Sequence, residues 1–255
     1  MLNLIKYELK GYYKDFIIVI GIIALISLFL ISRINVWEIQ AIIVASFMVS
    51  FAAAIVVFIW NIKIFSRDMY EDTGYLLCTL PQHGYSILAS KLVSALIQAL
   101  IVGAITMLFN YIILMNTHKM DINLSIMVTD IMRNVNPSFV VFMVLASFLE
   151  YFYFLLVIYF SIALSKVAIK KKKMGKMSSF IIFIIISTVS GKITQFLVET
   201  FPKDINLNML SNESRLFVEG AQLMPINIAV TIFNIVAFTL MFLVTSHIIE
   251  NKLDF

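Results

Sequence analysis

Long apolar runs alternate with shorter polar segments along the whole chain. A helix needs about 20 mainly apolar residues to cross the hydrocarbon core of a bilayer. The runs are continuous rather than alternating, so they predict helices and exclude the strands of a membrane β-barrel. The predicted spans are 16–32, 39–62, 88–115, 138–165, 177–198 and 223–247.

Composition agrees with this pattern. Apolar residues make up 61% of the 255 residues and charged residues 13%. In soluble domains about half of the residues are apolar and about a quarter are charged. Only lipid can solvate this excess of apolar surface. The predicted fold class is an all-α polytopic membrane protein, a single transmembrane domain over residues 1–255.

The residues before the first run have two faces. Apolar side chains recur at helical spacing on one face, and basic side chains lie on another, which is typical of a helix at a membrane surface. A signal peptide also begins with basic residues, but no small-residue cleavage site follows Ile31, so we expect a retained first helix. The apolar face comprises Leu2, Ile5, Leu9, Tyr12, Tyr13 and Phe16, and the basic face Lys6, Lys10 and Lys14.

Lysines and arginines predict the orientation. If both termini are cytosolic, 13 of the 19 basic residues lie in inner segments and 6 in outer ones, as the positive-inside rule expects. The largest cluster, Lys170 to Lys173, is a basic anchor for the inner leaflet and its anionic lipids. The inner segments hold Lys6, Lys10, Lys14, Lys63, Arg67, Lys91, Lys166, Lys170, Lys171, Lys172, Lys173, Lys176 and Lys252.

This orientation places the segment between the second and third spans in the cytosol. Its apolar residues recur at steps of three and four, which predicts an amphipathic helix that ends at Pro81. Its polar face is acidic, so anionic lipids repel it, and a protein partner is favoured over the membrane surface. The alternative is a loop helix folded against its own bundle. The apolar stripe comprises Phe65, Met69, Thr73, Leu76, Leu77 and Leu80, and the acidic residues are Asp68, Glu71 and Asp72.

Several stretches resemble type-2 ABC transporter permeases, the membrane subunits of bacterial ABC exporters. They are LNLIKYELKGYYKDF at the start, FSRDMYEDTGYLLCTLPQHGYSILASKL after the second span, IYFSIALSKVAIKKKKMGKM after the fourth and IIENKLDF at the end. The strongest part is Gly74-Tyr75-Leu76 with Thr79-Leu80-Pro81, followed by Ser90-Lys91-Leu92.

The resemblance implies that residues 67–81 form a coupling helix that fits a groove on a separate ATP-binding subunit. It also implies that residues 2–15 form a connecting helix along the inner membrane surface. The implied partners are two ATP-binding subunits, a second permease copy or a related permease, and membrane lipids, with no nucleic acid. The coupling residues are Arg67, Asp68, Met69, Glu71, Asp72, Leu76, Leu77 and Leu80.

The chain lacks the motifs of an enzyme. No G-x-x-x-x-G-K-[ST] sequence occurs, so ATP and magnesium are expected on the partner subunit and no cofactor on this chain. The histidines, His83, His118 and His247, lie in three separate segments, and neither a zinc motif nor a nucleophile elbow is present. We expect no metal site, no catalysis and, with Cys78 as the single cysteine, no intramolecular disulfide.

Polar residues within the spans are candidates for a substrate path. Glu150 lies near mid-membrane, where a charge costs at least about 3 kcal/mol, so it should face the bundle or a wet cavity. It contacts a cationic substrate or a proton, or else it is a protonated acid bonded near Tyr151 and Tyr153. The other candidates, which line the path or bond across helices, are Gln98, Asn110, Asn227 and Asn234.

The sequence therefore predicts the permease subunit of an ATP-driven exporter in the bacterial cytoplasmic membrane. An amphiphilic substrate such as an antimicrobial peptide or drug is expected, with antimicrobial peptide resistance as the consequence of export. The alternative is a channel or scaffold without an ATPase partner. Small residues Ser46, Ser50 and Ala54 form either a dimer seam or an internal packing face. The outer loops, 116–137 and 199–222, are expected to carry short re-entrant or surface helices that cap an exit route.

Overall fold

A computed structural model of the chain describes residues 2–34, 36–71, 82–117, 136–168, 172–208 and 223–251. All six helices in these residues are long and apolar enough to cross a membrane, which confirms the predicted multi-pass helical protein. The elements are α1 (Leu2–Ser32), α2 (Ile39–Tyr70), α3 (Gly84–Thr117), α4 (Pro137–Ala168), α5 (Lys172–Thr200), β1 (Asp204–Asn208), β2 (Leu223–Asn227) and α6 (Ile228–Asn251).

The helices are divided between two compact units. The first comprises Met1–Lys63 and Val93–Asp130, and the second comprises Ile64–Leu92 and Ile131–Phe255. Helices α2 and α3 each contribute residues to both units. The connection between α2 and α3 belongs to the second unit.

The first unit is held by two apolar clusters and one polar contact. Asn110 of α3 donates a hydrogen bond from Nδ2 to Ser50 Oγ of α2 at 2.9 Å, and Ser50 Oγ itself donates to the Ser46 carbonyl. This polar contact joins two spans where no water competes. The buried residues of the clusters are Ile23, Ala53, Val57 and Val102 in one, and Leu30, Ile34, Ile42 and Ile113 in the other.

The second unit contains α4, α5 and α6 with the end of α2 and the start of α3. Helices α4 and α5 are antiparallel neighbours: the hydroxyls of Ser165 and Ser178 are hydrogen-bonded, and the rings of Phe154 and Phe183 meet edge to face at 5.6 Å. Antiparallel packing follows from the short connection between the two helices.

The bounds of the first two spans differ from the predicted ones. The second span was predicted to end at 62, but α2 continues to Tyr70 because residues 63–70 include buried apolar side chains that extend the helical stripe. Residues 2–15 and the first span form one continuous helix, so the structure does not separate the connecting helix from the span. On its first turns Lys6, Lys10 and Lys14 are exposed, as their predicted face requires.

The sixth span begins later than predicted, and the fold is not purely helical. Residues 223–227 form β2, which pairs antiparallel with β1 in the register Asp204↔Asn227. The prediction of helices in the loop 199–222 is therefore wrong for 204–208, while 118–135 and 209–222 lie outside the described residues. The physical reason is visible in Asp204–Asn208, which alternates polar and apolar residues with the period of a strand.

Asparagine caps fix the start of two helices. Asn136 Oδ1 accepts a hydrogen bond from Ser138 N at 3.1 Å, with Pro137 at the first helical position. Asn227 Oδ1 accepts from Val230 N at 3.1 Å, and Asn227 Nδ2 donates to the Phe201 carbonyl at 2.8 Å. Asn227 therefore caps the start of α6 as the last residue of β2, and its predicted place within a span is wrong.

Gly84 should be intolerant of any side chain. A Cβ at this position would collide with the Ser246 backbone carbonyl oxygen, because α3 begins in contact with the end of α6. We expect Gly84→Ala to lower the free energy of unfolding by about 1–3 kcal/mol, as overpacking does. Thermal unfolding of the detergent-solubilised protein measures it. Gly21→Ala is the control, since nothing lies within 4 Å of its Cβ position, and equal melting temperatures for the two variants would contradict the prediction.

Candidate functional site

The structure describes four of the eight predicted coupling residues. Arg67, Asp68 and Met69 belong to the last turn of α2, and Glu71 follows it. Asp72, Leu76, Leu77 and Leu80 lie outside the described residues. A separate coupling helix that starts at 67 is therefore not what the chain forms there, because these positions continue α2.

The two described residues of the apolar stripe, Phe65 and Met69, are used inside the second unit. Phe65 is fully buried and Met69 is 2% exposed. The Phe65 ring stacks on Tyr159 of α4 with the ring centroids 4.0 Å apart. Phe65 and Met69 therefore hold α2 on its own bundle, and they offer no surface to a partner.

A buried ion pair joins the end of α2 to the start of α3. Lys91 Nζ donates a hydrogen bond to Asp68 Oδ2, and the two side chains are 3% and 10% exposed. Arg67 Nε lies 4.0 Å from Asp68 Oδ1 and its side chain is 40% exposed. Because both charges of the pair have left water, each depends on the other. The pair fixes the two helix ends that flank the segment 72–81.

Tyr70 attaches the same end of α2 to α4 and α5. Its hydroxyl lies 3.0 Å from the Gly175 carbonyl oxygen, 2.8 Å from Ser179 Oγ and 3.3 Å from the Ile162 carbonyl oxygen. The ring fills the space beside Gly175, where a Cβ would lie 2.6 Å from Tyr70 Cε1. A glycine at 175 is thus required by the close approach of the tyrosine.

The start of α3 is attached to α6. Gly84 N donates a hydrogen bond to Glu250 Oε2 at 3.2 Å, and His83 Nδ1 lies 3.3 Å from Glu250 Oε1. The His83 ring stacks on Tyr85 at 5.3 Å. These contacts satisfy a backbone N–H that the first turn of a helix leaves without an intrahelical partner.

We call Phe65, Asp68, Tyr70, Gly84 and Lys91 the anchor cluster. Together they connect both ends of the segment 72–81 to α4, α5 and α6, all within the second unit. Sequence reasoning placed Lys91 at an inner helix end but missed its pairing with Asp68 and missed the other attachments. Asp68 was predicted on the acidic polar face, whereas it is buried. A signal for its pairing was available, since an acid and a lysine flank the same turn at the ends of two spans.

The predicted substrate-path residues do not form one site. Gln98 is 5% exposed and Asn110 bonds to Ser50, both in the first unit. Asn110 therefore bonds across helices, and with Ser46 buried this face of α2 serves internal packing, although Ala54 is exposed. Glu150 and Asn234 belong to the second unit, and both side chains are exposed. The expectation that Glu150 faces the bundle or a wet cavity stays a prediction.

No metal-binding geometry occurs among the described residues. No group of three His, Cys, Asp or Glu side chains is close enough to hold an ion there. His83 is engaged with Glu250, and His247 lies 3.0 Å from Asn251, while His118 is outside the described residues.

No family model matches the chain, and neither a curated protein nor a solved structure matches it.

The ion pair should show strong coupling between its two members. We expect Asp68→Leu or Lys91→Met alone to lower stability by about 3–5 kcal/mol, because each leaves a buried charge without this partner. The double variant should recover most of the loss, since both buried charges are gone and Arg67 is partly exposed. Thermal unfolding in detergent measures the four proteins, and strictly additive losses would show that the pair is not coupled.

Removal of the Tyr70 hydroxyl alone should lower the stability less than removal of the whole ring would. Tyr70→Phe keeps the packing beside Gly175 and removes the polar contacts to α4 and α5, so we expect a loss of about 1 kcal/mol. Tyr111→Phe is the control because Tyr111 is 57% exposed and should leave the unfolding curve unchanged. If both variants unfold like the unsubstituted chain, the hydroxyl contacts contribute nothing.

Proposed function

We propose that this chain is the transmembrane permease subunit of an ATP-driven exporter and that the segment 72–81 receives the force from an ATP-binding subunit. The observation that carries the proposal is the anchor cluster. Both ends of this segment are attached to the bundle, through a buried ion pair, a stacked ring and a tyrosine hydroxyl. The motifs that resemble type-2 ABC permeases surround the same segment.

Such attachments suit a part that transmits movement. Packed cores and buried polar contacts move as blocks rather than deforming continuously. A displacement of the segment therefore moves α2 and α3 together, and through Tyr70 and Gly84 it reaches α4, α5 and α6. A loop that only connects two spans has no need of charges taken out of water.

The orientation supports an encounter with ATP on this side. The ends joined by the anchor cluster are the end of α2, the start of α3, the end of α4, the start of α5 and the end of α6. The positive-inside rule predicts that these same helix ends lie on the inner side of the membrane. In this orientation the cluster faces the cytosol, where ATP and magnesium bind the partner subunit. The basic face of α1, with Lys6, Lys10 and Lys14 exposed, then meets lipid headgroups.

The assembly contains two permease bundles and two ATP-binding subunits in a bacterial cytoplasmic membrane. An amphiphilic substrate, such as an antimicrobial peptide or a drug, passes outward along the bundles. This substrate class is supported by spans that are apolar apart from a few polar side chains, among them Gln98 and Thr106.

Co-purification with an ATP-binding protein encoded by a gene adjacent to that of this chain tests the proposal. We compare the tagged chain with the Leu76→Asp/Leu77→Asp variant in detergent. A leucine buried at an interface contributes about 1.5–3 kcal/mol, so the double variant should capture at least about tenfold less ATP-binding protein.

Ile205→Asp is the matched control. Ile205 is an exposed apolar residue of β1, at the opposite end of the second unit from the anchor cluster. The Ile205→Asp variant should capture as much ATP-binding protein as the unsubstituted chain. If no ATP-binding protein associates, or if the Leu76/Leu77 variant captures it equally while its melting temperature is unchanged, the chain is a channel or scaffold whose loop packs on itself.

A further inference from the structure

Helix α5 combines two properties that conflict in a lipid environment. It is the least apolar of the six predicted spans, and no residue in its most apolar stretch is buried within the chain. Its exposed polar side chains include Ser187, Thr188, Lys192 and Gln195. Lipid tails offer polar groups no hydrogen bonds, so a helix of this kind belongs against protein or water.

The neighbouring helix has the same property at one residue. Glu150 of α4 is exposed, well inside its span. Within the described part of the chain neither Glu150 nor Lys192 takes part in an ion pair or a hydrogen bond. The described residues thus expose one acid and one base within adjacent spans and do not pair them.

The two charges lie at similar levels along the α4–α5 pair. From the hydrogen-bonded Ser165 and Ser178, Glu150 lies 15 residues (150 to 165) along α4 and Lys192 lies 14 residues (178 to 192) along α5. At a rise of 1.5 Å per residue the levels differ by about 2 Å. Measured from the Phe154–Phe183 contact, they differ by about 8 Å.

The two measurements place Lys192 on opposite sides of the level of Glu150: about 2 Å nearer the Ser165–Ser178 end by the first and about 8 Å farther from it by the second. In a helix the Cα–Cβ bond tilts toward the N-terminus, so the Glu150 side chain leans away from the Ser165–Ser178 end and the Lys192 side chain leans toward it. This lean shortens the larger difference and slightly lengthens the smaller one. By both measurements the two charged groups lie within the combined reach of a glutamate and a lysine side chain.

We propose that a second copy of this chain covers the exposed surface of α4 and α5, with Glu150 of each copy paired with Lys192 of the other. Two copies inserted in the same orientation are related by a two-fold axis along the membrane normal, which preserves depth. In such an interface each contact occurs twice, so a surface must carry its own complement. Gly191, with nothing within 4 Å of its Cβ position, allows the partner helix to approach closely.

The inference rests on the paired bundles of the proposed function, and it identifies the partner bundle as the same chain. It does not depend on the ATP-binding subunit. An experiment on the permease alone therefore distinguishes the dimer from the proposed function. The dimer contact can be absent while the ATP-binding protein is still captured, and the dimer can form while no ATP-binding protein is captured.

Cross-linking of two differently tagged copies tests the contact. Both copies carry Cys78→Ser, one carries Glu150→Cys and the other Lys192→Cys, and a short bis-maleimide is added to native membranes. We expect a covalent dimer that contains both tags. The control replaces Lys192→Cys by Met177→Cys, which is exposed on the same helix but 15 residues (177 to 192), about 22 Å, away along its axis.

The control pair should give less than a tenth of this product. Equal yields for the two pairs indicate random collision and overturn the proposal. Absence of cross-linking together with rapid labelling of both cysteines by a water-soluble maleimide also overturns it, and assigns the surface to an aqueous path.

Charge exchange gives a second measurement that does not require cysteines. Glu150→Lys or Lys192→Glu, present in both copies, places like charges at each contact and should reduce co-purification of the two tags at least about tenfold. The double variant Glu150→Lys/Lys192→Glu restores opposite charges and should restore co-purification. If the double variant stays as weak as the single ones while all elute as folded protein, the pairing is refuted.

Discussion

The buried ion pair between Asp68 and Lys91 is the constraint on which the described inner end of the second unit depends. Both charges are buried away from water. In the protein interior an unpaired charge costs far more free energy than an apolar side chain in the same place. The requirement to pair holds the end of α2 beside the start of α3. With α2 held there, Phe65 meets Tyr159 and the Tyr70 hydroxyl reaches α4 and α5.

Polar side chains within the described spans then fall into two classes. Asp68, Lys91, Tyr70 and Asn110 have partners inside their own unit, so they fix the fold of the single chain. Glu150 and Lys192 are exposed and lack such partners in the described residues, so those residues do not account for them. In a membrane the second class is informative, since lipid cannot satisfy these groups and something else must.

Physics explains which features the sequence predicts. The spans follow from the length and apolarity that a bilayer imposes, and the start of α4 from Asn136 and Pro137 at a helix N-terminus. The strand Asp204–Asn208 was predictable from its alternation but is short beside the apolar runs. The pairing of Asp68 with Lys91 and the place of Tyr70 beside Gly175 depend on contacts between distant segments, which no local pattern contains. Insertion cost predicts that Glu150 faces protein or water, but it does not say whether that protein is its own bundle or a second copy.

The anchor cluster and the proposed dimer surface involve the same two helices. Tyr70 contacts Ile162 of α4 and Gly175 and Ser179 of α5, and these helices carry Glu150 and Lys192 about 20 Å farther along. If an ATP-binding subunit displaces the segment 72–81, the movement passes through Tyr70 into this pair of helices. A charged contact to the second copy would then be strained or relieved at mid-membrane, where low dielectric makes its geometry count most. Under both proposals, α4 and α5 receive the movement through Tyr70 near one end and contact the second copy farther along.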